Sequence, residues 1–221
     1  MDVVDWVTAN LPPTIRGDNR RVWGPWQAAD SASTDVRFVM TRAPDSRLFS
    51  LFYQVRDAGQ RDELAFDEAW QDCVSGLGQP SSDGLRRGQG NLSIDLDACG
   101  QFSQSGESGL ARVDFDTSPD EDNPQGKTEL QIEFVDFLTR EQLTQVGERA
   151  RPLTASYSFE ESSSGRGFDF VAYSDLAGEP LGESMLEEIR MAVRWAADGR
   201  GRAEASITDG DGGALRFYWE L

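Results

Sequence analysis

The side chains that could do chemistry in this chain are mostly carboxylates: 39 Asp and Glu, against 21 Lys and Arg and no histidine. Without imidazole there is no Ser-His-Asp or Cys-His catalysis, no His-ligated zinc and no imidazole pH switch. No Gly-x-Ser-x-Gly elbow occurs. Lys127 is the only lysine, and an exposed lysine gives no Schiff-base chemistry. Two carboxylates flanking a glycosidic bond could still hydrolyse it. Glu133 with Asp136, or Asp169 with Glu160, would be the pairs. Both pairs lie in runs of alternating polarity, where solvated outward faces are the favoured reading. Calcium needs several hard oxygen ligands. Asp116, Asp120 and Asp122 are weak candidates in the acidic stretch 114–123, and Asp209 and Asp211 form a second one. The spacing is not that of an EF-hand loop, and Pro119 and Pro124 interrupt it. The Gly-rich tracts lack the Lys and following helix of a phosphate-binding loop. Arg16-Gly17-Asp18 is a tripeptide of a kind that chance supplies often. No catalytic residue and no cofactor is assigned, and the chain reads as non-enzymatic.

The net charge of −18 disfavours nucleic acid and anionic membrane surfaces. Cys73 and Cys99 are too few for a cysteine-built zinc site. Their separation suits a disulfide between neighbouring strands, worth about 3.5 kcal/mol by loop entropy. A disulfide implies an oxidising compartment. No run approaches the length of a spanning helix. The opening Met-Asp-Val-Val-Asp has no signal-peptide pattern, and the expectation is that an export signal has been removed.

The elements that must position these residues are strands. Residues 38–59 and 157–178 align without a gap. Each holds an alternating run, a turn of small polar residues, a second alternating run, then Ala-Gly, the pattern of an antiparallel hairpin. Further alternation over 91–97, 110–116, 128–138, 188–195, 201–208 and 214–221 predicts strands, as do 70–75 and the Trp23-Gly24-Pro25-Trp26 segment, which suggests a bend or edge. Residues 76–90 read as a long Gly/Ser/Pro turn. Short helices are expected over 2–11 and 140–150. The order of elements suggests two related halves, 15–127 and 128–221, each of about six strands.

Strands with one apolar face must bury it. The helices are too few to cover them, so the expectation is a single all-β domain over 1–221. It is an antiparallel, mostly up-and-down β-barrel of about 10–12 strands, because closure buries the face and removes the edges. A two-sheet sandwich is the rival. An apolar face turned outward toward lipid is a further alternative.

Trp23-Gly24-Pro25-Trp26 and residues 194–211, RWAADGRGRAEASITDGD, carry a resemblance. In these segments the chain resembles predicted lipoproteins of myxobacteria and related deltaproteobacteria. The resemblance implies export and a lipid anchor near the N-terminus, to the periplasm or the outer-membrane surface. The lipid-bearing cysteine such an anchor needs is not at the start of the sequence.

Together these readings predict an exported binding barrel. Its lumen would be lined by Trp23, Trp26, Phe52, Phe168, Phe170, Trp195, Phe217 and Trp219, and would hold an apolar small molecule or lipid, or a protein would dock at the rim. The alternatives are a structural or interaction module of the cell envelope and a carboxylate-based glycoside hydrolase.

Overall fold

The computed structural model describes residues 10–28, 31–44, 46–60, 67–81, 87–100, 107–117, 126–138, 153–162, 165–174, 187–208 and 213–220. The expected helix at 140–150 and nearly all of that at 2–11 lie outside these residues, as do Asp120, Asp122, Asp209 and Asp211.

The fold is all-β, a single antiparallel sheet of 13 strands in sequence order. The first strands are β1 (Ile15–Arg16), β2 (Arg20–Gln27), β3 (Thr34–Arg42) and β4 (Phe49–Asp57). A 3-10 turn over Ala58–Gln60 precedes β5 (Gln71–Pro80) and β6 (Gly88–Asp95). After a short helix, α1 (Leu96–Gly100), come β7 (Ser108–Asp116), β8 (Thr128–Leu138), β9 (Leu153–Ser162) and β10 (Gly165–Ser174). The chain continues through β11 (Glu187–Ala196), β12 (Gly201–Thr208) and β13 (Ala214–Glu220). Each strand pairs with the one before and the one after, so the order is up-and-down throughout.

The sheet is not closed into a barrel. It runs from β1 to β13, and among the described residues no ladder joins the two ends. Closure would need matched first and last strands, yet β1 is two residues long and β13 is exposed along its length. Burial is achieved differently. At the N-terminal end the apolar face is covered by Leu11 and Ala28, and by Cys99 of α1. Trp23 is 1 % exposed there, and its indole Nε1 donates to the carbonyl of Leu11 at 3.0 Å.

Two local corrections follow from glycine. Residues 76–90 are not one long turn: β5 extends to Pro80 and β6 begins at Gly88. Gly78 and Gly90 lie within the ladder beside aromatic rings. A Cβ on Gly78 would stand 2.6 Å from the Phe49 ring, and one on Gly90 2.7 Å from that of Phe115. The missing side chains make room for the rings on the sheet. The bend at Trp23-Gly24-Pro25-Trp26 is a β-bulge, with Gly24 at φ 95°. A Cβ on Gly24 would approach the Val36 carbonyl to 2.9 Å. The expected strand 91–97 ends at Asp95, and Leu96 opens α1.

Cys73 of β5 and Cys99 of α1 form a disulfide with Cα atoms 4.7 Å apart. The bridge ties a strand to the helix packed on it, not strand to strand as the spacing suggested.

Candidate functional site

Because side chains alternate across a strand, one ladder register places whole rows of residues on one face. One row runs Trp23, Phe38, Tyr53, Val74, Ile94, Ala111, Phe134, Ala155, Ala172, Ile189, Ile207, Leu215, from β2 to β13. The next, from β3, runs Met40, Leu51, Gly76, Leu92, Val113, Ile132, Tyr157, Phe170, Met191, Ala205, Phe217. The third, from β4, runs Phe49, Gly78, Gly90, Phe115, Leu130, Phe159, Phe168, Val193, Ala203, Trp219. Apart from the glycines, every position in these rows is apolar or aromatic. The intervening row on the other face, from β5, reads Ser75, Ser93, Arg112, Glu133, Ser156, Val171, Arg190, Ser206, Arg216.

Of the residues expected to line a lumen, Trp23, Phe168, Phe170, Trp195, Phe217 and Trp219 share the apolar face. Trp26 joins them beyond the bulge, opposite Val36, and is exposed. Phe52 does not belong: it pairs with Val39 and Ser75 on the polar face. In FSLFYQV the apolar-face set is Phe49, Leu51, Tyr53 and Val55, and Phe52 is out of phase with it.

Burial along the apolar face is graded. Trp23, Phe38 and Leu51 pack in a cluster at the β2–β4 end. At the far end Leu215 is 64 % exposed and Trp219 49 %, with Phe217, Ile207 and Met191 also exposed. Aromatic contacts thread between the ends. Tyr157 stacks on Phe168 at 5.7 Å, Phe168 meets Trp195 at 6.1 Å, and Phe217 stacks on Trp219 at 6.0 Å. The Arg166 guanidinium lies 5.4 Å from the Trp195 ring.

The opposite face holds a buried polar cluster that the sequence reading missed. Asp35 of β3 faces Arg56 of β4 across the ladder, with Oδ2 3.5 Å from a guanidinium nitrogen. Arg37 donates to Gln54 Oε1 at 2.7 Å and to Asp67 Oδ1 at 2.9 Å. Trp70 is within 4.4 Å of the Arg37 and Arg56 guanidinium carbons. Hydrogen bonds from Arg20 and then Arg37 hold the Asp67 carboxyl below its ordinary range, against the desolvation that opposes them. Burial pushes Arg37 below its ordinary value, and Asp67 counters only part of that. Opposite charges facing each other at Asp35 and Arg56 were the available signal.

A cleft of about 390 Å³ opens on the polar face over β8–β11. Glu129, Glu160, Asp169 and Arg194 line it, so Asp169 and Glu160 of one proposed carboxylate pair do share a concave site. Asp169 is ion-paired with Arg194, while Lys127 lies against Glu129 and 3.7 Å from Glu160. Both carboxylates are open to solvent, Glu160 at 63 % and Asp169 at 47 % side-chain exposure. Of the other pair, Glu133 is ion-paired with Arg112, and Asp136 lies in a bulge of β8 at φ 52°. Asp116 ends β7, and among the described residues no group of three or more His, Cys, Asp or Glu could hold a metal ion. Among them, too, no helix is long and apolar enough to cross a membrane.

No protein-family model matches the chain, and neither a curated protein nor a solved structure is significantly similar to it.

Proposed function

We propose that this is an exported, non-enzymatic binding protein that holds an apolar molecule or the alkyl chain of a lipid against the apolar face of its sheet. The observation that carries the reading is the set of three apolar rows whose far end is exposed at Met191 of β11, Ile207 of β12 and Leu215, Phe217 and Trp219 of β13. Aromatic side chains such as Phe217 and Trp219 bury about 150–250 Å² each when covered. Leu215, Phe217, Trp219, Met191 and Ile207 together therefore expose an area in the range that marks a binding surface. An open sheet would hold the ligand against this face, where a closed barrel would need a lumen. The two halves, 15–127 and 128–221, enter the proposal as related modules, the first holding β1–β7 and the second β8–β13. The alignment of residues 38–59 with 157–178 supports this, as does the fact that both segments lie on antiparallel hairpins, β3–β4 and β9–β10. The disulfide supports an extracytoplasmic, oxidising location. Lipid anchoring of the precursor rests on the resemblance to lipoproteins alone.

A second reading, an interaction module of the envelope, is favoured by β13 itself. It pairs only with β12 among the described strands, so its outer edge could accept a partner's strand. Native mass spectrometry of the protein purified from its own host tests the choice. A retained lipid mass supports the first reading. A bare protein that takes up no alkyl probe, such as cis-parinaric acid, refutes it.

A further inference from the structure

Two of the three apolar rows are continued at their N-terminal end by arginine. On β2, Arg21 pairs with Met40, the first member of one row. On β3, Arg42 pairs with Phe49, the first member of the next. These residues and Arg47, from the turn between β3 and β4, line one open pocket of about 510 Å³. Its floor is Met40 and Phe49, both partly buried against the Trp23 cluster.

We infer that this pocket, an addition to the apolar-face reading above, receives the anionic head of a single-chain amphiphile whose first methylenes rest on Met40 and Phe49. The charge argues for it. The protein carries −18 overall, yet this wall presents Arg20, Arg21, Arg42 and Arg47 against a single lining carboxylate, Asp18. Arg20 is engaged with Asp67 on the opposite face. Among the described residues the Arg42 side chain donates through its Nε alone, to the Ser46 carbonyl at 2.9 Å, and its two terminal nitrogens face the pocket's ligand space in the proposal. Among the described residues no carboxylate lies within ion-pair distance of Arg21, Arg42 or Arg47. In so acidic a chain, a wall of four arginines over an apolar floor is a local concentration of positive charge. Guanidinium groups bind carboxylate and phosphate through paired N–H donors. The pocket has the volume of a small-ligand site, enough for a head group and the first methylenes. Carboxylate and phosphate heads share this chemistry.

The test is isothermal titration calorimetry below the critical micelle concentration, with dodecyl phosphate, dodecanoate, dodecanol, dodecyltrimethylammonium and inorganic phosphate as probes. The intact protein should bind an anionic dodecyl probe at least about tenfold more tightly than dodecanol, the scale of one or two charged hydrogen bonds. It should bind the ammonium more weakly still. The triple variant Arg21→Gln/Arg42→Gln/Arg47→Gln should lose that preference while its affinity for dodecanol holds. A triple lysine variant, which keeps charge but loses the fork, controls for misfolding and should retain part of the preference. Equal binding of dodecanol and both anions overturns the head-group site but leaves the apolar-face reading standing. Binding of no alkyl probe overturns both. Inorganic phosphate binding as tightly as dodecyl phosphate overturns the amphiphile and marks a free-anion site.

Discussion

Replacing Asp35 with alanine should be among the most damaging single changes in this protein. Asp35 is 0 % exposed and Arg56 is buried beside it, with a charge separation of 3.5 Å. At an effective dielectric of about 20 such a pair interacts by about 5 kcal/mol. Desolvation offsets much of that attraction while both partners are present, so the net contribution of the pair is small. The single change is different, because it leaves the Arg56 cation buried without its facing carboxylate. The expected loss is about 3–5 kcal/mol. In a chain of this size that lowers the melting temperature by about 6–20 °C. Urea unfolding followed by tryptophan fluorescence measures it, and Asp35→Leu, Arg56→Met and Asp35→Leu/Arg56→Met form a double-mutant cycle. The double variant should lie within about 1–2 kcal/mol of the parent, which makes the coupling large. If Asp35→Ala costs under about 1 kcal/mol, or the two single losses simply add, the buried pair is not what holds β3 against β4 on this face.

Reduction of Cys73–Cys99, or Cys73→Ala/Cys99→Ala, should cost about 3.5 kcal/mol on the entropy of the loop it closes, read as a lower melting temperature in reductant. Gly78→Ala should destabilise by about 1–3 kcal/mol by driving a Cβ into the Phe49 ring, and Phe49→Leu should recover most of that in the same unfolding assay. Asp67 has its carboxyl held below the ordinary range, so its contribution to stability is complete above the unfolded value of about 3.9 and is lost as pH falls through the lower folded value. Asp67→Asn should therefore lower the melting temperature at neutral pH and flatten its fall on acidification, by a modest amount because Asp67 is half exposed.

The alternation of residues 110–116, 128–138, 201–208 and 214–220 was enough to identify β7, β8, β12 and β13 and to say which side chains share a face. Period 2 is a local property, so it is legible wherever the strand is regular. Closure is not local. Whether β13 meets β1 depends on how the whole sheet coils, and no residue of either strand records it. Glycine hid part of the sheet: Gly76, Gly78, Gly88 and Gly90 look like a turn until Phe49 and Phe115 are seen lying across two of them. Phe52 is aromatic but out of phase with Leu51 and Tyr53, so residue type alone points it to the wrong face and only the strand's period corrects it. Arg21 and Arg42 drew no attention, because only the register shows that they continue the apolar rows.

The face that takes the ligand can be read by photolabelling with a diazirine-bearing alkyl probe and peptide mass spectrometry. The account predicts label on Met191, Ala205, Ile207, Leu215, Phe217 and Trp219, with Arg190, Ser206 and Arg216 spared. Label concentrated on Arg190, Ser206 and Arg216, or spread without regard to strand phase, would contradict it.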